Sequence, residues 1–372
     1  MTPALVVTHA AAVSARPGGL QICTREYLAT LRAAGLDVET EVIEHDSRLI
    51  TRARQRLFPA PYPDQWRPSA IDRIVGTAGR IHARFVCVNL VNLAPLAALL
   101  RPRLARGTQI VLLSHGLESV DFLHTIPLAS RSRILERRLG RRLVEERAHR
   151  AAIDHVFCLA PFEAEIERWL GARGVTALPR TIPQRAPLQW TPEPTRLGFV
   201  GTLDHPPTGD GLEQFLTAFE NVAPADLRVR IVGGPDAAGR ALAGRFRSAE
   251  YLGPLSDADL EREAASWSLF VHPLFSMARG CSTKLAVALA WQLPIVTTPA
   301  GARGYTWRDG VLPMANTPAT FAQVAADLAA PTAARRVREQ VGAVVRSSPT
   351  IADVGRMIGD ALGLAPALTE LA

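Results

Sequence analysis

Apolar positions in this chain form two kinds of run, and the two alternate. Short strand-like stretches rich in Val, Ile, Leu and Phe fall at residues 4–8, 38–43, 85–90, 109–113, 156–159 and 175–178 in the first half, most of them continuously apolar. Between them, apolar residues recur every three or four positions at 21–34, 70–83, 95–104, 130–151 and 161–170. Continuous runs predict strands covered on both faces, and the 3.6-residue period predicts helices. After residue 194 the alternation restarts, with strands at 197–200, 228–232, 250–252, 269–271 and 295–298. Helices are expected at 211–222, 237–246, 258–266, 283–291, 318–330, 333–345 and 351–362. The fold class read from this is α/β, with two doubly wound Rossmann-like domains facing a cleft. A proline-dense passage at 179–194 reads as the interdomain linker. The expected domains are residues 1–185, completed by a terminal helix at 350–372, and residues 186–349.

Composition narrows the class. The 372 residues are 48% hydrophobic and 21% charged, which excludes disorder, collagen and coiled coil as the main architecture. The net charge of +7 is uneven. Residues 1–190 hold 26 basic and 17 acidic side chains, and the remainder 16 and 18. The first half therefore carries the positive field and is expected to meet an anionic partner. Eight arginines lie between Arg131 and Arg150. They read as a surface helix with Arg/Glu pairs involving Glu145 and Glu146, or as a contact with anionic lipid or a phosphorylated acceptor. A second basic stretch, 48–56, fits the lipid alternative. Nucleic acid is not expected as a partner, because aromatic residues do not interleave with the cations. The charge-free run at 285–302 contains Gln292, Pro294 and Pro299, and reads as a helix and a strand rather than a membrane span. Residues 1–15 read as a buried first strand rather than an export signal. The four cysteines are widely spaced, which predicts unbridged thiols in a reducing cytoplasm and no zinc site.

Candidate chemistry gathers where strands are expected to end. Arg16, Gly18 and Gly19 follow the first strand; the glycines either admit a ligand to a helix N-terminus or serve a turn that needs positive φ. His115 stands just past a strand, with Glu118 and Asp121 beyond it as alternative bases. In the second half, Gly201-Thr202 and Gly233-Gly234 end strands, but neither forms GxGxxG, so a nicotinamide dehydrogenase is disfavoured. Asp257-Ala258-Asp259 follows Ser256 and reads as a helix cap rather than a metal-binding DxD. Ser282 and Thr283 lead into a helix whose first turn carries Lys284, the only lysine in the sequence. A cation there opposes the helix dipole unless an anion is present. Arg303, in the loop after the next strand, is a second cation.

These residues carry a resemblance. Residues 197–202, 230–234, 251–254, 270–273 and 280–301 resemble the C-terminal domain of GT-B glycosyltransferases of the group 1, family 4 type. Gly18-Gly19 matches that family's N-terminal glycine loop, and His115 its cleft histidine. The sequence departs from the pattern at Arg279 and Val287, where the family usually carries a pair of glutamates. Ser282 to Leu285 is similar to glucuronosyltransferases of bacterial exopolysaccharide assembly, which also lack that pair. The resemblance implies a metal-independent glycosyltransferase acting from a nucleotide-diphosphate sugar onto a glycan, lipid-linked or small-molecule acceptor, with no cofactor. It implies that Ser282, Thr283, Lys284 and Arg303 hold the diphosphate, that Gly201, Thr202, Gly233 and Gly234 admit the nucleotide, and that Pro254-Leu255 flank its base. His115 or Glu118 would be the base if the reaction inverts. Two rivals remain: a non-catalytic partner of another transferase, and a nucleotide-sugar epimerase of the same fold. The expected location is the cytoplasm, with peripheral contact at the inner face of the plasma membrane.

Overall fold

The computed structural model describes residues 1–15, 18–44, 48–49, 51, 56, 61–62, 66–124, 126 and 132–364. It divides into two compact units. One comprises residues 1–179 and 350–372, and the other residues 180–349.

In the first unit, β1 (Thr2–His9), α1 (Gly19–Ala33), β2 (Leu36–Ile43), α2 (Pro68–Arg80), β3 (Phe85–Asn89) and α3 (Leu96–Leu100) come first. β4 (Gln109–Leu113), α4 (Glu118–His124), α5 (Arg133–Arg150), β5 (His155–Cys158), α6 (Pro161–Trp169) and β6 (Gly174–Ala177) follow. The six strands pair in parallel in the order β2-β1-β3-β4-β5-β6. The central strands are buried along their lengths, which is why they read as unbroken apolar runs. α1 buries Cys23, Tyr27 and Leu31, spaced four apart on one face.

The second unit repeats the layout with β7 (Glu193–Val200), α7 (Pro206–Phe219), β8 (Arg228–Val232), α8 (Asp236–Arg245), β9 (Ala249–Gly253) and α9 (Asp257–Ala265). β10 (Trp267–His272), α10 (Thr283–Ala290), β11 (Ile295–Thr297), α11 (Pro318–Leu328) and α12 (Pro331–Ser347) complete it. Its parallel order is β11-β10-β7-β8-β9. Side chains alternate across this sheet, Leu269 and Val271 entering one apolar layer and Phe270 the other. The fully buried Trp267 lies across β7, so that a Cβ on Gly198 would stand 1.9 Å from its ring. The last helix, α13 (Ile351–Ala361), belongs to the first unit and packs on α1. Gly355 lets the two backbones approach, since a Cβ there would meet the Ala33 carbonyl carbon at 2.8 Å.

Several expectations change against this frame. The proline-dense passage is a strap on the second unit rather than a free linker. Arg180 N–H donates to the Gly304 carbonyl at 2.7 Å, Leu188 N–H to that of Trp291, and the Trp190 indole to that of Trp267. Backbone donors and acceptors that the prolines cannot pair locally are answered by the unit's own loops. The arginine-rich helix α5 is not a simple surface helix either. Glu146 and Arg150 are buried, Arg150 with a two-pronged ion pair to Glu167 and Glu146 accepting from Tyr62 and Ser119. The half-buried Glu145 pairs with the exposed Arg141 at 3.3 Å. Ser256 caps α9 as expected, accepting from the Asp259 N–H. No described helix is long and apolar enough to cross a membrane.

Candidate functional site

Each unit gathers polar side chains at the C-terminal edge of its sheet, and the two gatherings are built differently.

In the first unit, His115 follows β4 and is half-buried. Its Nε2 lies 2.8 Å from Asn89 Oδ1. Asn89, at the end of β3, donates both amide hydrogens, to Thr8 Oγ1 at 2.9 Å and Thr24 Oγ1 at 3.0 Å. Its Oδ1 must therefore accept, so Nε2 of His115 carries a proton, and in the neutral ring the lone pair is on Nδ1. Tyr27 supports the loop from below, donating to the Ser114 carbonyl at 2.7 Å, with its ring 5.4 Å from that of His115. Glu118 opens α4 together with Asp121 in its first turn. The apolar pattern predicts no helix at α4, whose seven residues are too few to show a period. Gly18 caps α1 with φ −177°, ordinary extended backbone, so the turn reading that required positive φ is overturned. A Cβ on Gly18 would instead meet Gln21 Oε1 at 2.6 Å, and Gly19 is the first helical residue. Arg16 lies outside the described residues.

In the second unit, the loops after β7 and β8 interlock. Gly201 N–H donates to the Val232 carbonyl at 2.9 Å, and a Cβ on Gly233 would stand 1.9 Å from the Gly201 carbonyl oxygen. These two glycines thus answer a backbone-to-backbone contact, with Gly233 at φ 129°. Gly234 faces open space apart from Pro254 Cγ, 3.8 Å from a built Cβ. Thr202 and Pro254 are exposed, and Leu255 is half-buried against the core.

Beyond β10 and β11 the polar groups converge. His272 is buried at the end of β10, its Nδ1 2.9 Å from Thr297 Oγ1 and its Nε2 2.8 Å from Ser282 Oγ. Burial first, then the nearby Lys284 and Arg303 cations, push its pKa down to about 3, so the ring is neutral. Ser282 is the N-cap of α10 and accepts from the Leu285 N–H. Thr283 and Lys284 form the first turn, which contains no acidic residue. Lys284 Nζ reaches Thr208 Oγ1 at 3.4 Å and has no carboxylate partner among the described residues. Burial pulls its pKa down to about 8. Arg303 donates Nε to the Gly280 carbonyl at 2.7 Å, Nη1 to that of Ala300 at 2.6 Å and Nη2 to that of Arg279 at 3.1 Å. It clamps the loop that leads into α10, a structural task absent from the sequence reading. Gly301 is held between Thr297 and His272, where a Cβ would come within 2.5 Å of Thr297 Oγ1.

The structure therefore brings Ser282, Thr283, Lys284 and Arg303 into one cationic helix entrance. It adds His272, Thr208 and, in the other unit, Asn89 and Tyr27. His272 and Asn89 each leave a sequence trace, a polar residue closing an otherwise apolar strand run.

Comparison with known proteins bears on the fold. Residues 194–330 match the family described as glycosyl transferases group 1. No curated protein sequence matches. Among solved structures, the chain is similar to sucrose-phosphate synthase from Thermosynechococcus elongatus, with TM-score 0.62 and 18% identity over 97% of this chain and 98% of that one. It is similar to Anabaena HepE in complex with UDP and glucose, with TM-score 0.60 and 14% identity over 98% and 100%. It is also similar to TarM, with TM-score 0.63 and 9% identity over 97% and 99%. The fold is that of the GT-B glycosyltransferases, and the match to the glycosyl transferases group 1 family lies within the second unit.

Proposed function

We propose that this protein transfers a sugar from a nucleotide-diphosphate donor to a glycan, lipid-linked or small-molecule acceptor without a metal ion. The observation that carries the reading is Lys284. A half-buried ammonium with no carboxylate beside it among the described residues, on the first turn of a helix, is placed at a cost that an anion removes. A departing nucleoside diphosphate is such an anion, and its charge grows as the sugar leaves. The α10 N-terminus, Ser282, Thr283 and Lys284 stabilise that charge, with Arg303 adding field through its clamp. Gly201, Thr202, Gly233 and Gly234 take the nucleotide, with Pro254 and Leu255 beside its base.

The first unit takes the acceptor. Asn89 fixes His115 in the tautomer with its lone pair on Nδ1, the form that accepts a proton from an acceptor hydroxyl. This favours His115 over Glu118 as the base of an inverting reaction. Gly18 and Gly19, with Arg16, serve the acceptor or its phosphate at the start of α1. The similarity to Anabaena HepE, solved with UDP and glucose, supports a nucleotide-sugar donor.

A calorimetric screen of the whole protein against nucleoside diphosphates tests the reading. One of them is expected to bind, and Lys284→Ala to weaken it at least a hundredfold and abolish turnover. A non-catalytic partner binds none of them. A nucleotide-sugar epimerase converts the donor with no acceptor present, which product analysis detects.

A further inference from the structure

The second unit carries a separate hollow where its strap meets α12. Its volume is about 590 Å³, and Trp190, Gln292, Arg335, Arg338, Glu339 and Arg346 contribute to its walls. Arg335, Arg338 or Glu339, Gly342 and Arg346 recur at helical spacing, so one face of α12 presents three guanidinium groups. Trp190, on the facing strap, donates to the carbonyl of Trp267, the first residue of β10. The hollow thus lies by the N-terminal end of β10, whereas His272 and the α10 entrance lie by its C-terminal end.

Arg338 is built in rather than loose. Its Nε donates to the Gln292 carbonyl at 3.1 Å, its Nη2 to that of Leu188 at 3.0 Å, and its guanidinium carbon lies 5.0 Å from the centre of the Trp190 ring. These contacts fix the plane of the fork and leave Nη1 with no partner among the described residues. Arg346 crosses above Gly342, its Nη1 3.2 Å from where a Cβ on that residue would stand, with Gln292 Oε1 at 3.5 Å from the same point. A side chain at Gly342 would press on both groups at the floor of the hollow.

The charge balance separates this place from the rest of the unit. Arg230 pairs with Glu250 and Glu263, Arg245 with Glu213, and Arg247 with Glu220. Arg335, Arg338 and Arg346 make no ion pair among the described residues, and Glu339 is the one carboxylate on the walls. Desolvation lowers the Arg338 pKa with no acid to offset it, whereas carboxylates raise that of Arg230. Three positive groups converging on a concave surface, one of them oriented by backbone carbonyls, match the geometry and charge of a phosphate.

We propose that this hollow binds a phosphate-bearing anion, at a site distinct from the α10 entrance. The phosphate could belong to a soluble metabolite or to a lipid headgroup, and the shared recognition is the guanidinium cluster.

The test uses the whole protein carrying Lys284→Ala, which weakens the α10 entrance, titrated calorimetrically with inorganic pyrophosphate. Arg335 and Arg346 are exposed and make no ion pair, so the further change Arg335→Ala/Arg346→Ala should leave the fold intact, with thermal melting as the check. The expected result is pyrophosphate binding by Lys284→Ala that weakens at least tenfold when the two arginines are removed. Flotation with phosphatidylglycerol vesicles distinguishes the source. Flotation lost with the same two substitutions supports the site with a headgroup as its ligand. Arginine-dependent pyrophosphate binding without flotation supports it with a soluble phosphate. Pyrophosphate binding absent from Lys284→Ala, or unchanged by loss of the arginines, overturns the proposal.

Discussion

His115 and His272 each stand at the C-terminal edge of a parallel sheet, one in each unit, yet their surroundings differ in kind. His272 is buried, with both ring nitrogens engaged by hydroxyls and two cations nearby. It is a neutral pin that ties the cap of α10 to β11. His115 is half-buried and oriented through one nitrogen by an amide whose own hydrogens are committed elsewhere. The same side chain is thus fixed as a strut in one unit and held in a proton-accepting tautomer in the other. What distinguishes them is burial and the kind of group on the ring, two hydroxyls for His272 and the Asn89 amide for His115, not the edge of the sheet on which they stand.

Replacing each histidine should separate the roles. His115→Ala is expected to lower turnover by about 10²- to 10⁴-fold, the usual contribution of a general base, while leaving nucleoside diphosphate affinity unchanged. Equal loss of affinity and turnover in steady-state kinetics would erase the contrast.

Acidity offers a second test. Lys284 has a pKa near 8 in the unliganded protein, and a bound anion raises it toward its ordinary 10.5 or beyond. Nucleoside diphosphate affinity should therefore fall by up to about tenfold per pH unit above pH 8, read by calorimetry. The unliganded fold should move the opposite way. The unfolded chain keeps the lysine proton up to about 10.5, so stability rises with pH between about 8 and that value. Lys284→Met should flatten both curves.

Smaller effects concern the strut. His272→Ala removes one hydrogen-bond partner from each of the Ser282 and Thr297 hydroxyls and is expected to cost about 1–3 kcal/mol in urea unfolding, with His272→Gln recovering part of the loss. Ser282→Ala removes the α10 cap and should cost about 1 kcal/mol by the same measurement. If Ser282→Ala proves the more damaging, the cap does not depend on the histidine.

Much of the architecture was legible because buried parallel strands leave continuous apolar runs. β4 and β8 fall where the pattern places them, at Gln109–Leu113 and Arg228–Val232. Lys284 was legible through its rarity and through the Ser-Thr pair before it. The partners that give these residues meaning were not. Asn89 reaches Thr8 across 81 positions, Tyr27 reaches the Phe157 carbonyl across 130, and Lys284 reaches Thr208 across 76. No periodicity encodes such contacts, which exist only after the strands are ordered side by side. The arginines were misleading for a related reason. Arg150 reads as surface charge in an arginine-rich helix yet is buried in an ion pair, and Arg303, read as a second cation for the diphosphate, also ties loop carbonyls together.

The return of α13 to the first unit has a consequence for biosynthesis. During synthesis from the N-terminus, residues 180–349 can close on themselves as soon as they emerge. The first unit, although most of it is made earlier, must wait for residues 351–361 before the α1 surface around Ala33 is covered. The unit whose synthesis starts earlier is therefore completed later, and a ribosome that stalls within residues 180–349 would release a chain with one side of the first unit still bare.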